Sequence, residues 1–415
     1  MDALERLIER AGGAGVEPLR LSGEQASGLP EWAWLCLSCG LCSSRCPMSG
    51  VDGFDPRKLM RLCLLGEVGR AAAARFPWLC TGCGRCTYWC PLGVEMPSLV
   101  GMLKGLRPRD KVPGILHKNV ENALAFGNSS AVSDENYRFV LEDVAAELAE
   151  TLPGFEIPID RERAEYLFFP HPKEVAIDYD DLKWMWTIFH RAQVSWTVPG
   201  HNWESIDWGY FTGNMAVSRE LARRKVEIAR RLGVKTIILP DCGGSSFGCR
   251  HSLDEHFAPE LAEAGITYVY IYDVLERFLA EGRLRVDPTR NPETFTYHDS
   301  CKHGREALRV FGRGYFEEPR AVVRRCIAGD LVEMQPNREN SFCCGAGGGL
   351  YAGPYERERL HHGRRKAESI RATGAQTLIV SCSNCRDQIG HGLVRKYGLD
   401  IKVKYLWQLV AESLI

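Results

Sequence analysis

What the chain lacks narrows its reading first. No apolar run reaches the roughly 18 residues of a membrane span, and Met1-Asp2-Ala3-Leu4-Glu5-Arg6 opens without the apolar core of a signal peptide. The expectation is a cytoplasmic protein with no direct membrane span, peripheral at the inner face of a membrane only through a partner. Neither sign of charge dominates: 52 Lys and Arg stand against 53 Asp and Glu, a net −1, which argues against nucleic acid as a partner. No flavin or nicotinamide fingerprint is present. Gly345-Ala346-Gly347-Gly348-Gly349 is rich in glycine, but it follows two cysteines and has neither the P-loop lysine nor the GxGxxG spacing. Cysteine itself is missing from the whole stretch between Cys90 and Cys242.

Elsewhere cysteine is abundant. Of 17, nine lie from Cys36 to Cys90 and eight from Cys242 to Cys385. In a cytosolic-looking chain such numbers read as metal ligands or redox groups, not as a disulfide framework. The gap implies two separate cysteine-dependent sites. At 415 residues more than one core is expected.

The first site is a doubled motif. Cys36-Leu37-Ser38-Cys39-Gly40-Leu41-Cys42-Ser43-Ser44-Arg45-Cys46-Pro47 and Cys80-Thr81-Gly82-Cys83-Gly84-Arg85-Cys86-Thr87-Tyr88-Trp89-Cys90-Pro91 both read CxxCxxCxxxCP. Three closely spaced thiolates hold three corners of a cubane, and the fourth, before proline, ligates the other cluster. The spacing therefore assigns Cys36, Cys39, Cys42 and Cys90 to one [4Fe–4S] cluster, and Cys80, Cys83, Cys86 and Cys46 to a second. Asp55-Pro56-Arg57 starts a helix between them, with Cys63 on its apolar side as a packed core residue. A short amphipathic helix is expected over 2–11 and a loop-rich stretch from Gly12 to Pro30.

Residues 111–160 read as a helical linker, with helices near 115–126 and 134–151. From about 161 the texture becomes α/β. Strands are expected at 165–169, 194–198, 236–239 and 267–271, and again at 294–298, 331–334, 377–380 and 401–404, with helices between. The two halves, 161–285 and 286–415, repeat one another. Arg223-Arg224-Lys225-Val226-Glu227 through Pro240 aligns without gaps on Arg364-Arg365-Lys366-Ala367-Glu368 through Ser381. In that register Asp241 stands at Cys382 and Gly244 at Cys385, while Asp207-Trp208-Gly209 takes the place of Cys343-Cys344-Gly345. The first copy has the scaffold without the thiolates, and its Cys242 and Cys249 read as non-ligands.

The second copy carries Cys301, the pair Cys343-Cys344, and Cys382-Ser383-Asn384-Cys385, a C-x41-CC-x37-CxxC pattern. A zinc ribbon takes four ligands, usually as two CxxC pairs, and fits these five poorly.

The pattern resembles the cysteine-rich CCG domain of heterodisulfide reductases and related iron–sulfur proteins. Fused to the two-cubane module, with Asp55-Pro56-Arg57 between its motifs and Trp78-Leu79-Cys80 entering the second, it resembles the D-type subunit of heterodisulfide reductase. It is also similar to the K-type subunit of the dissimilatory sulfite reductase-linked membrane complex. That resemblance implies a noncubane [4Fe–4S] cluster on Cys301, Cys343, Cys344, Cys382 and Cys385, at which a disulfide is cleaved. The D-type subunit carries ligands in both repeats, whereas the first repeat here has none, a departure that resembles the single-cluster relatives.

The expected architecture is α+β and multidomain. A helical ferredoxin-like domain with two [4Fe–4S] clusters (1–110) and the linker precede tandem α/β CCG repeats, the first degenerate and the second complete. The expected function is an iron–sulfur subunit of a multi-subunit redox complex, with a flavoprotein or membrane cytochrome b as partner subunit. Two cubanes feed a site that reduces or forms a disulfide, heterodisulfide or persulfide on a small thiol or a carrier protein. Lys302 and His303, directly after Cys301, are candidate proton donors to a leaving thiolate alongside Cys343 and Cys344. His298 reads equally as a satisfied loop histidine, and Asp241 and Trp208 line the opposite wall if the repeats face each other. The alternative is a purely electron-transferring subunit of a flavin dehydrogenase of the glycolate, lactate or glycerol-3-phosphate oxidase type.

Overall fold

Short helices carry the N-terminal cysteines. In the computed structural model, which describes residues 29–415, each motif runs its first two cysteines through an irregular loop into a one-turn helix. A glycine of positive φ makes each turn: Gly40 (φ 85°) before Leu41–Arg45, and Gly84 (φ 70°) before Arg85–Tyr88. Any other residue is strained in that left-handed conformation. The helix Pro56–Leu64 begins as expected. Asp55 accepts a hydrogen bond from Lys58 N at 2.9 Å, and Pro56 sits at the first position, where a missing N–H costs nothing. Leu59, Met60 and Cys63 of this helix bury against Val68, Leu79, Leu99 and Leu103. Cys63 is a core residue, its thiol pushed up to about 12 by burial. The helix expected over 2–11 and most of the loop-rich stretch after it lie outside the described residues.

Two helices follow. Gly114–Phe126 lays Leu116, Val120 and Ala123 against Trp78 on one side and Trp208, Phe211 and Leu221 on the other, so it packs on both flanking regions. Asp134–Ala149, capped by Ser133, stacks Tyr137 on Trp203 with ring centroids 4.6 Å apart.

The rest is built on two parallel sheets. The first contains β1 (Tyr166–Phe168), β2 (Trp196–Thr197), β3 (Thr236–Leu239) and β4 (Thr267–Tyr270) in the order β2-β1-β3-β4. The second contains β5 (Phe295–Tyr297), β6 (Thr377–Val380) and β7 (Lys402–Tyr405) in that order. A parallel bridge from Phe295 to Leu331 extends it, so its neighbour order matches the first sheet. The strand expected over 331–334 shrinks to that bridge. Phe295 exchanges only two hydrogen bonds there, with Asp330 O (2.8 Å) and Val332 N (2.7 Å), and Pro336 has no N–H to continue a ladder. Leu378, Ile379 and Val380 are buried on both faces, as parallel sheets covered by helices require.

The carboxyl ends of the two sheets abut. Tyr272, after β4, donates to Ser381 Oγ after β6 at 2.8 Å. Arg386 bridges to Asp181 (2.5 Å) and Asp178 (2.9 Å). Behind the second sheet's loops, fully buried Arg320 forks onto Asp299 (2.7 and 3.0 Å) and Glu333 (2.6 and 2.8 Å). Burial would raise the Asp299 carboxyl, but Arg320 outweighs it and holds the group below its ordinary value. Arg320→Met leaves Asp299 buried and uncompensated, and should cost about 3–5 kcal/mol by denaturant titration. Because the folded value is depressed, the Asp299 contribution is present above its unfolded value, near 4, and is lost as pH falls through the folded one. An Asp299→Asn variant, less stable at neutral pH, should therefore show a shallower loss on acidification than wild type.

Candidate functional site

Five thiols converge where the sheets meet. Cys301 follows β5, Cys382 and Cys385 follow β6, and Cys343-Cys344 arrive on the loop between; all five are buried. Sγ of Cys301 lies 4.0 Å from that of Cys343, and Sγ of Cys344 lies 3.2 Å from that of Cys385. Backbone amides point at two of them, Gly345 N at Cys343 and Gly243 N at Cys382, each 3.3 Å away. Proton sharing with Cys343 and Cys385 holds Cys344 well below an ordinary thiol, and sharing with Cys242 brings Cys382 down to about 5. A ring nitrogen of His298 lies within 4.8 Å of both Cys344 and Cys385 Sγ, and neither of its nitrogens has a hydrogen-bond partner. His298 is thus part of the thiol cluster, not a satisfied loop residue.

The cations around these thiols carry a second message. Arg85, Lys104, Arg305 and Lys366 are all buried. Arg85 donates to Ser341 O (3.2 Å), Arg305 to Cys83 O (2.8 Å) and Ser341 O (3.1 Å), and Lys104 to Gly348 O (3.1 Å). Lys366 donates to Met334 Sδ at 3.5 Å. No carboxylate takes these bonds. Burial lowers Lys104 to about 8; for Arg305 it is outweighed, and Cys83, Cys301, Glu306 and Cys343 hold it charged. Buried charge needs a counter-charge. A donor set dominated by sulfur and ringed by cations fits a thiolate-ligated iron–sulfur cluster, which carries negative charge.

Beside the cysteines opens a cleft of about 250 Å³, lined by Cys301, Cys344, Cys382 and Cys385 on one side and Ile206, Trp208 and Phe211 on the other. Trp208 therefore faces the thiols, as expected of the opposite wall. Asp241 does not line the cleft; it is buried, and desolvation lifts its carboxyl to about 7. Lys302 lines the cleft, but its Nζ is held toward a neighbouring cavity beside the inner cysteine loop, 3.3 Å from Tyr210 OH, 3.6 Å from Glu306 and 4.0 Å above the Phe247 ring. Burial works against its charge, but Tyr210, Glu306 and Cys301 keep it protonated. His303 turns away: Nε2 lies 2.8 Å from Ser246 Oγ, Nδ1 2.6 Å from Tyr272 OH, and burial pulls it down to about 3. With both nitrogens engaged outside the cleft, His303 has none free for a leaving thiolate. Cys242 was not expected at the site, yet Asn384 Nδ2 lies 3.5 Å from its sulfur, next to Cys382. Its position one residue after Asp241, which aligns with Cys382, was the signal available.

The N-terminal cysteines line two small cavities of about 30 Å³ each. Cys36, Cys39, Cys42 and Cys90 share the outer one with Cys86. Cys46, Cys80, Cys83 and Cys86 share the inner one with His362. The inner loop presses on the thiol cluster. Thr81 Oγ1 lies 3.7 Å from Cys343 Sγ, and Cys83, Cys343 and His362 present ligand atoms within 4.8 Å of one another. The glycine-rich turn makes this approach possible. A Cβ on Gly347 would meet Thr81 O at 2.5 Å, and one on Gly348 would meet Cys80 O at 2.1 Å.

Two protein domains known by family coincide with these cysteines. Residues 32–94 match the 4Fe-4S dicluster domain, and residues 295–390 match the cysteine-rich domain. The chain is an iron–sulfur protein that joins the two. It is similar to a probable iron-sulfur-binding oxidoreductase, FadF, of Bacillus subtilis, 27% identical over 63% of this chain and 37% of that protein. It is also similar to the D-type subunit of the dihydromethanophenazine:CoB–CoM heterodisulfide reductase of Methanosarcina barkeri (29%, 48% and 45%). A third relative is the EtfAB:quinone oxidoreductase of Syntrophomonas wolfei (26%, 57% and 32%). The chain spans less than half the length of each of these three. No helix among the described residues is long and apolar enough to cross a membrane.

The glycine contact can be separated from glycine strain. Gly348 (φ +67°) and Gly374 (φ +64°) share a left-handed backbone, but a Cβ at Gly374 meets nothing within 4 Å. Gly374→Ala should cost about 1 kcal/mol. Gly348→Ala should cost about 1–3 kcal/mol more, as the inner cysteine loop is forced away. Equal thermal midpoints for the two variants would show that the loops do not touch.

Proposed function

We propose that the chain is the iron–sulfur subunit of a redox complex that passes electrons through two N-terminal cubanes to a noncubane [4Fe–4S] site, where a disulfide or persulfide is reduced or formed. The ligands are Cys36, Cys39, Cys42 and Cys90 for the outer cubane, and Cys80, Cys83, Cys86 and Cys46 for the inner. Cys301, Cys343, Cys344, Cys382 and Cys385 hold the third. The two sheets are read as two copies of one unit, the first of which has kept the frame and lost the thiolates.

The observation that carries the proposal is that Cys343 touches both sides: it lies beside Cys83 of the inner cysteine loop, and its Sγ is 4.0 Å from that of cleft-lining Cys301. A simple relay needs only cubanes; five further cysteines beside a cleft supply a place where the electrons are used. When bound, the cluster at these cysteines supplies those electrons. The balanced reaction is RSSR′ + 2 e⁻ + 2 H⁺ → RSH + R′SH, in either direction. Trp208 and Phe211 wall the substrate against the thiols and exclude water. Lys302, charged and beside Cys301, delivers a proton to the leaving sulfur. His303 holds the frame through Ser246 and Tyr272. Electrons enter from a partner, a flavoprotein or a membrane cytochrome b, and the substrate is a small thiol or a carrier protein.

A relay reading draws support from the similarity to a protein named as an EtfAB:quinone oxidoreductase. The two are separated by Cys343→Ser and Cys344→Ser. Anaerobically loaded wild type should hold about twelve irons and each variant about eight, with cubane EPR signals intact. Turnover of a disulfide panel by the dithionite-reduced variants should fall below detection, since oxygen is a poor substitute for soft sulfur on iron. Undiminished disulfide turnover in either variant would remove the catalytic reading and leave the relay.

A further inference from the structure

We propose that Cys242, which belongs to the first sheet, is a sixth sulfur ligand at the five-cysteine site. The proposal rests on the reading that those cysteines hold a cluster. Within the cluster, Cys301 Sγ lies 4.0 Å from Cys343 Sγ and Cys344 Sγ lies 3.2 Å from Cys385 Sγ, and the segment of Cys242 joins it through Cys382 and Asn384. Gly243 N, the next residue's amide, donates to Cys382 Sγ at 3.3 Å, and Asn384 Nδ2 lies 3.5 Å from Cys242 Sγ. The two segments are therefore locked together at their sulfur-bearing ends.

Two independent features mark this as a built site. His171, at the end of the first sheet's opening strand, is 2% exposed, and its Nε2 has no hydrogen-bond partner. It lines the cleft together with Cys382 and with Gly243, the residue after Cys242. A buried ring nitrogen left open beside a thiol suits a donor to a metal-bound sulfur. The second feature is the glycine pair after Cys242. A Cβ on Gly243 would meet Ser300 Oγ at 2.7 Å and Lys302 Cβ at 3.2 Å, and one on Gly244 would meet the Phe211 ring at 2.9 Å. Only glycine lets this turn lie so close to the loop that carries Cys301. Cys249, seven residues on and also buried, has Lys225, Asp207 and Asp254 as its charged neighbours and provides the control.

The test uses the full chain loaded anaerobically with ⁵⁷Fe. Cys242→Ser and Cys242→Ala should shift the Mössbauer and EPR signature of the C-terminal site, or lose about one to four irons from it. The N-terminal cubane signals should stay unchanged, and Cys249→Ser should match wild type. Variants with wild-type spectra and iron content would overturn the proposal while leaving the underlying reading intact. A wild type that holds only cubane iron would overturn both. If the Cys242 variants do not fold, an iron-anomalous map of the loaded wild-type crystal decides: a direct bond from iron to Cys242 Sγ sustains the proposal, and its absence ends it.

Discussion

The seating of a glycine turn on a cysteine loop governs the geometry of this molecule. Gly347 and Gly348 lie against the carbonyls of Thr81 and Cys80 with no room for a side chain. That contact sets Cys343 beside Cys83, where the sequence places 259 residues between them. Lys104 reinforces it by donating to Gly348 O, and Arg305 by spanning Cys83 O and Ser341 O. Electron transfer between buried centres depends on such short separations, so the glycines act through distance and not through chemistry of their own.

The second constraint is the apposition of two parallel sheets at their carboxyl ends. Ligands in open α/β folds bind outside those ends, where loops rather than strands face one another. Here one sheet brings the thiols and the other brings the opposite wall, Trp208, with Cys242 and His171 at the seam. The half without the thiol cluster thus still shapes the pocket beside it. If the two halves are copies of one unit, as proposed, Asp241 stands in the first where Cys382 stands in the second.

The local shape of the doubled cysteine motifs was legible: three cysteines and a glycine within seven residues specify a loop and one helical turn. The strands β3 and β6 were legible too, as short apolar runs after a glycine. What escaped was set by docking. Lys302 and His303 are adjacent in sequence, but the wide turn of Lys302–Glu306 sends one toward Tyr210 and the cleft and the other toward Tyr272. Nothing in residue spacing separates them. His298, His362 and Cys242 acquire their neighbours only when three segments meet, and the role of the glycine-rich stretch as a packing surface shows only there.

Electrostatics tie these pieces together. Four buried cations place their hydrogen bonds on carbonyl oxygens or a thioether, and the carboxylates nearest them are committed elsewhere: Glu306 to Lys302 and Arg309, Asp299 to Arg320. A fold that left them so would bear a desolvation cost for each. Thiolates and the negative charge of a bound cluster are the counter-charge that the arrangement lacks. Arg305 shows how closely the two sites are joined, since the sulfurs of Cys83, Cys301 and Cys343 all act to keep it charged. One guanidinium thus serves the inner cysteine loop and the five-cysteine loop together. On the proposed reading, negative charge added at either site is felt by the same cation.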